Sequence, residues 1–369
     1  MTKKLLIGNP NSIFIREMIS ELKKFDQNLE VDLILSKRHQ VGKISADNVY
    51  NFIPDSEVSL YKLFAFYLSF VKWFFSNKSK YESIDVHFVN IYYLPILPLL
   101  RLKCESLNFV FWGSDLLRCK HQKLLGIMIA MADVINISSE NMKRELVSKF
   151  SHSLKGKQII INRFGSLSLD LVDEVNKADA NSDNCYFYES LNKFDAKTIV
   201  TIGYNASRAQ QHLKVIKSIK DKCRQLDNYV FVFPLTYGVE DSSYINEIKA
   251  ATEGLNVVFL AEYMTDFEIA YLRIKTDILI QVQITDAFSM SMQEHMYAGN
   301  RVITGSWLKY KELASEGAFV DQVDSIDEIG ELLVRPLLSV DEKNHNRNII
   351  HKLSNWTSVI DGWERLGRK

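Results

Sequence analysis

Residues 285–305 read TDAFSMSMQEHMYAGNRVITG, and this stretch decides the fold. Asp286 and Glu294 stand on either side of a helix start, and Ala298-Gly299 separates that helix from a short apolar strand. Phe288, Ser289, Met290 and Ser291 fall at the helix entrance. Backbone N–H groups there lack intrahelical acceptors, and the positive end of the helix dipole adds to them, so the turn is an anion site. One carboxylate before the turn and one along the helix can hold hydroxyls on either side of a bound phosphate. A phosphate flanked by hydroxyls describes a nucleotide sugar. A plainer reading makes Asp286 or Ser289 a helix cap and Glu294 a solvated carboxylate. The rest of the chain decides between them.

Working outward, short apolar runs alternate with helical stretches. Residues 4–7, 31–35, 84–88, 109–112, 134–137 and 159–161 read as strands of one parallel α/β domain. Residues 170–197 lose the rhythm and turn polar. It resumes with strands at 198–202, 230–233, 257–260, 278–280 and 302–304. The expected organisation is a first Rossmann-like domain at 1–168, a polar connector at 169–197, a second Rossmann-like domain at 198–343 and a terminal helix at 344–369. Ile349, Ile350, Leu353, Trp356, Val359, Ile360, Trp363 and Leu366 give that helix one apolar face, which should be docked.

A second constellation follows the first strand of the second domain. Gly203 permits a turn, Asn205 or Ser207 can cap the next helix, and Arg208 stands where a guanidinium could grip a diphosphate. His212 lies one turn further on. Solvated-arginine and helix-packing readings compete for Arg208 and His212. Tyr237 and Tyr263 follow later strands and are candidates for a base pocket, although aromatics there are more often packing.

In open α/β sheets ligands bind at the carboxyl ends of the strands. That rule gives the first domain's candidates on an acceptor side: Asn9 and Ser12 after the first strand, His87 at the end of another, and Trp112, Gly113 and Asp115 after a third. His87 or Asp115 could take a proton from an acceptor hydroxyl. A core histidine and a capping aspartate are the competing readings.

The second half resembles the donor half of a GT-B glycosyltransferase. Asp286-x7-Glu294 is similar to the E-x7-E motif of glycosyltransferase family 4, with Asp replacing the first Glu. The segment Trp112-Gly113-Ser114-Asp115 also resembles one common in that family. Gly203, Asn205, Arg208 and His212, with Pro234-Leu235-x-Tyr237 and Tyr244, are similar in spacing to bacterial lipid-linked Fuc4NAc transferases. The likeness covers residues 198–334 and more weakly the whole chain. It implies two doubly wound Rossmann-like domains facing across a cleft, with the terminal helix crossing back to the first. It implies that Asp286 lies near the donor sugar and Glu294 holds the nucleotide ribose. Family 4 carries an Arg and a Lys in the loop after the strand at 198–202; here Arg208 is the cation. Family 4 retains the anomeric configuration and the Fuc4NAc transferases are thought to invert it; retention is the expectation adopted.

Composition narrows the field. Lys+Arg and Asp+Glu both number 45, so nothing polycationic points to nucleic acid. Cys104, Cys119, Cys185 and Cys223 are scattered without CxxC, which fits neither a zinc site nor a disulfide framework and suits a reducing compartment. No Asp-x-Asp occurs, so a metal-independent transferase without a cofactor is expected. The first residues hold too short an apolar run for a secretory signal, which makes the cytoplasm the expected location. Residues 60–75, LYKLFAFYLSFVKWFF from Leu60 to Phe75, are too short and too lysine-interrupted to span a bilayer. They fit an interfacial helix at the cytoplasmic face of the inner membrane, or a core helix. The function these readings give is sugar transfer from a nucleotide diphosphate sugar to a hydroxyl of a lipid-linked or growing saccharide in cell-surface polysaccharide assembly. The alternatives are a UDP-GlcNAc 2-epimerase-like enzyme and a non-catalytic GT-B-shaped nucleotide-binding subunit.

Overall fold

Apolar runs that read as strands from the sequence become strands buried on both faces, as a parallel sheet covered by helices requires. A computed structural model describes residues 2–37, 44–54, 59–177, 184–239, 242–286 and 288–367. The chain divides into two units, Met1–Gly165 with Trp356–Lys369, and Ser166–Asn355.

The first unit is built on β1 (Lys3–Gly8), β2 (Glu30–Leu35), β3 (Asn48–Tyr50), β4 (Tyr81–His87), β5 (Cys104–Val110), β6 (Val134–Ile137) and β7 (Gln158–Ile161). All pair in parallel in the order β3-β2-β1-β4-β5-β6-β7. Its helices are α1 (Ile13–Phe25), α2 (Ser59–Ser76), α3 (Leu97–Arg101), α4 (Ser114–Leu117), α5 (Gln122–Met131) and α6 (Glu140–Phe150), with a 3-10 segment at Ile91–Ile96 before α3. Leu5, Ile7, Val86, Leu107 and Phe109 present one sheet face to α2, α3, α5 and α6 in a single core.

The second unit is built on β8 (Thr198–Ile202), β9 (Tyr229–Pro234), β10 (Val257–Leu260), β11 (Ile278–Gln281), β12 (Arg301–Gly305) and β13 (Asp321–Val323), in the parallel order β10-β9-β8-β11-β12-β13. Its helices are α7 (Ser168–Lys177), α8 (Tyr188–Asn192), α9 (His212–Lys222), α10 (Ser242–Ala251), α11 (Asp266–Lys275), α12 (Met290–Tyr297), α13 (Lys311–Ser315), α14 (Ile329–Leu332) and α15 (Val340–Ser354). One core packs α7, α11, α12 and α15 on one face of the sheet, and a second packs α9 and α14 on the other.

Both sheets reverse strand order once, between β1 and β4 and between β8 and β11. Loops leaving the carboxyl ends of those strands flank a crevice in which such sheets bind ligands.

Two sequence expectations are corrected. The stretch 169–197 is more than a polar connector: its described part carries α7 and α8, whose Leu169, Val172, Val175 and Leu191 enter the core of the second unit. Residues 178–183, the centre of its Asn- and Asp-rich run, lie outside the described residues. The single terminal helix is two, because Asn355 is extended at ψ 138° and ends α15, and α16 (Trp356–Glu364) begins anew in the first unit. The Trp356 indole donates to Glu17 of α1 at 2.9 Å. Fully buried Lys4 of β1 donates to the carbonyls of Trp363, Glu364 and Leu366 at 3.0, 2.8 and 3.1 Å. A cation on the last carbonyls of α16 offsets the negative end of that helix.

Candidate functional site

In the second unit the two loops at the strand-order reversal hold most of the sequence candidates. The chain leaves β8 through Gly203, whose φ of +66° favours glycine. A Cβ there would meet His212 Nε2 at 3.0 Å and Gln210 Oε1 at 3.1 Å. Asn205 accepts from the Ser207 amide at 2.9 Å, and Ser207 caps the 3-10 turn Arg208–Gln210. Gln211 then adopts φ +61°, a strained conformation for a side chain with a Cβ. The second loop holds it: Gln211 Nε2 donates to the Val282 carbonyl at 2.7 Å, and Ile284 N donates to Ala209 O at 3.0 Å.

Leaving β11, the chain passes Gln283, whose buried side-chain amide has no partner among the described residues. Asp286 accepts from the Tyr310 hydroxyl at 2.8 Å, and Phe288 packs on the Tyr310 ring edge-on at 5.9 Å. Burial, then the neighbouring Asp286 carboxylate, pushes the Tyr310 phenol well up, and both causes act in the same order on Tyr204. Ser289 is the N-cap of α12, accepting from the Met292 amide at 3.3 Å; Met290 opens the helix, and the Ser291 hydroxyl has no hydrogen-bond partner among the described residues.

Glu294 is buried on α12 rather than solvated. Arg273 Nε of α11 donates to its Oε2 at 3.1 Å, and Ser168 Oγ of α7 donates to its Oε1 at 2.6 Å. A carboxylate has about four acceptor positions, and these two bonds use two of them. The half-exposed Tyr237 lies close enough to feel both Arg273 and Glu294, with Tyr204 beside it.

Three donor-side expectations change. Arg208 forms an ion pair with Glu247 at 2.6 Å and stacks over the Tyr244 ring at 4.4 Å, so its guanidinium is engaged. His212 is a packing histidine: it is fully buried, Nδ1 meets the Tyr244 hydroxyl at 3.3 Å, and burial pushes its pKa down to about 4. Tyr263, three residues past the end of β10, is 84% exposed, too open to form a buried base pocket by itself. Ser168, Arg273, Gln283 and Tyr310 had no signal in sequence spacing.

At the carboxyl edge of the first sheet, Asn9 closes a turn by accepting from the Asn11 and Ser12 amides, each at 3.1 Å, and Ser12 begins α1. His87 is 1% exposed, ringed by Trp112, Phe164 and Trp363 at 5.9–6.3 Å, and neither ring nitrogen has a partner among the described residues. Burial pushes its pKa down to about 3. An imidazole sealed by aromatic rings is out of reach of an acceptor, which corrects its assignment as the base. Asp115 accepts from the amides of Val89, Trp112 and Gly113 at 2.8, 2.9 and 3.0 Å. It ties the loop after β4 to the loop after β5. Desolvation outweighs those three bonds and raises its carboxyl to about 6. Among the described residues no three His, Cys, Asp or Glu side chains converge as metal ligands would.

Two parallel α/β units, with these loops at the strand-order reversal of the second, define the GT-B fold of glycosyltransferases. No protein-family model matches the sequence, and no curated protein matches it either. Solved structures do. Sucrose-phosphate synthase from Thermosynechococcus elongatus superposes with a TM-score of 0.70 at 14% identity, over 100% of this chain and 98% of that one. The UDP-forming α,α-trehalose-phosphate synthase from Burkholderia xenovorans gives 0.71 at 10% identity, over 100% and 99%. An E. coli trehalose-6-phosphate structure bound with UDP-2-fluoro glucose gives 0.68 at 10%, over 99% and 98%. At such identities the likeness is one of fold.

Proposed function

We propose that the protein is a glycosyltransferase that moves a sugar from a nucleotide diphosphate sugar to an acceptor hydroxyl. The observation that carries this reading is the pairing, at one strand-order reversal, of the Gly203 turn with the segment from Asp286 to Glu294. The N-terminus of α12 takes a phosphate through free amides, with Ser289, Met290 and Ser291 in its first turn. Glu294 takes the ribose hydroxyls and Asp286 faces the transferred sugar. Arg208 exchanges Glu247 for the diphosphate when the donor binds. Preorganised donors then stabilise the leaving nucleotide without a metal. The neighbours named for UDP-forming synthesis and for bound UDP-2-fluoro glucose support UDP as the first nucleotide to test.

The acceptor in this reading is a lipid-linked or growing saccharide in cell-surface polysaccharide assembly. The face of α2 between Leu60 and Phe75 brings the enzyme to the cytoplasmic side of a membrane, and transfer proceeds with retention. Among the described residues no helix is long and apolar enough to cross a bilayer. A non-catalytic nucleotide-binding subunit is the second reading, favoured by the Arg208–Glu247 pair.

A thermal-shift panel of UDP, GDP, TDP and CMP sugars tests donor binding, followed by nucleoside diphosphate release with and without a lipid-linked saccharide. Stabilisation by one donor class and acceptor-dependent release are expected. Stabilisation without release under any acceptor would leave the binding-subunit reading, and no stabilisation would remove both.

A further inference from the structure

The outer surface of the first unit carries an apolar face that extends beyond one helix. On α2, Leu60, Phe64, Leu68, Val71 and Phe75 recur at spacings of three and four and are exposed, Leu60 to 81% and Phe75 to 76%. The opposite side of α2 packs Phe66, Phe70 and Trp73 into the core shared by α3, α5 and α6. Helices that bury one side in the same core on the same sheet face turn their other sides to one common surface. Tyr92, in the 3-10 segment next to α2, is exposed there, and its carbonyl accepts from the Tyr67 hydroxyl at 2.6 Å. On and just before α5, Leu117, Leu124 and Ile127 are exposed as well.

Charge identifies what covers this face. The chain as a whole is balanced, with 45 basic and 45 acidic residues, yet residues 59–131 hold nine Lys and Arg against four Asp and Glu. Two of those four, Asp85 and Asp115, are buried. Lys72, Lys78, Lys80, Arg118, Lys120 and Lys123, within or next in sequence to α2 and α5, are exposed. A second copy would bring this positive rim against itself in a two-fold contact. A nucleic acid would meet apolar side chains where it needs cations and stacking platforms. Apolar side chains inserted at the level of anionic headgroups, with lysines at their margin, satisfy both features.

We infer that α2, Tyr92 and α5 form one two-helix surface that docks on an anionic lipid bilayer. This deepens the membrane part of the proposed function: it adds α5 to α2 and commits the partner to acidic lipid. Donor binding belongs to the second unit and is measured in solution, so either result can fail without the other.

The test is co-sedimentation of the full chain with phosphatidylcholine vesicles and with mixed phosphatidylcholine–phosphatidylglycerol vesicles, at low and high salt. Wild type is expected to sediment with the mixed vesicles only, and less at high salt. Phe64→Ser with Leu68→Ser, and separately Ile127→Ser, should each weaken partitioning by roughly tenfold. Lys72→Gln and Lys123→Gln should each weaken it about fivefold. Val340→Ser, at a 73% exposed apolar position of the second unit, should change nothing. The changed side chains are exposed, so unchanged thermal midpoints are expected; nucleoside-diphosphate binding in the same variants checks the second unit. Sedimentation indifferent to lipid charge overturns the inference, as do α5 variants that match wild type. A vesicle-free change in sedimentation coefficient for the α2 variant also overturns it, because a second copy would then be the occupant.

Discussion

Arg273 Nε donates to Glu294 Oε2 at 3.1 Å, and both side chains are buried between helices of the second unit. The pair changes how the ribose role of Glu294 has to be tested. Truncating Glu294 leaves a buried guanidinium unpaired, a loss of about 3–5 kcal/mol that would mimic loss of binding. Glu294→Gln is the cleaner variant, because its amide can still accept from Arg273 and donate to Ser168. The expected outcome is a folded protein that no longer distinguishes a nucleoside diphosphate from its 2′-deoxy analogue. Calorimetric titration with both ligands measures it. Discrimination equal to wild type would remove Glu294 from the ribose.

The Tyr310 hydroxyl donates to Asp286 at 2.8 Å. Tyr310→Phe deletes that donor and keeps the ring against Phe288. A hydrogen bond to a charged group is worth about 1.5–3 kcal/mol, so a carboxylate that faces the transferred sugar should lose roughly tenfold or more in kcat. Nucleotide affinity should stay unchanged. Asp286→Ala should also lower turnover more than affinity. Steady-state kinetics beside equilibrium nucleotide binding separates the two quantities, and equal losses in both would remove Asp286 from the sugar.

The ion pair between Arg208 and Glu247 is nearly half exposed on both sides, so it adds less than about 1 kcal/mol to stability. Its weight lies in competition for the guanidinium. Glu247→Gln should leave the unfolding midpoint almost unchanged and tighten nucleoside diphosphate binding severalfold, while Arg208→Gln weakens it. If Glu247→Gln and wild type bind alike, Arg208 is a surface arginine.

Strands were the most legible part of the sequence, because parallel strands covered on both faces read as uninterrupted apolar runs. The two strands missed, Asn48–Tyr50 and Asp321–Val323, are three-residue edges with exposed or polar members. At the candidate site, Gly203 and Ser289 were legible because a turn and a helix cap are local events. Arg273, Tyr310 and Ser168 were not, since they meet Glu294 or Asp286 across 21, 24 and 126 residues of chain. Arg208 stands in a 3-10 turn and His212 opens α9, with Gln211 at φ +61° between them, so they do not share the one helix face that their spacing suggested. What they touch there is decided by Glu247 and Tyr244, from a helix the spacing did not connect to them.

Burial holds His87 neutral, with its pKa lowered from 6.5 to about 3. The unfolded chain therefore binds a proton in this window that the native chain does not, and stability rises with pH across it. Acidification from pH 6.5 to about 4 should cost about 3 kcal/mol through this group. His212, lowered to about 4, acts in the same direction. Asp115 acts in the opposite one: its pKa is raised from 3.8 to about 6, so the native chain gains a proton on acidification before the unfolded chain does. Comparing His87→Leu with wild type cancels the other groups. The variant should lose about one proton from the pH dependence of its unfolding free energy, read from urea titrations across that range. Parallel wild-type and variant curves would mean that the imidazole is already charged, and so reached by solvent, in the native protein.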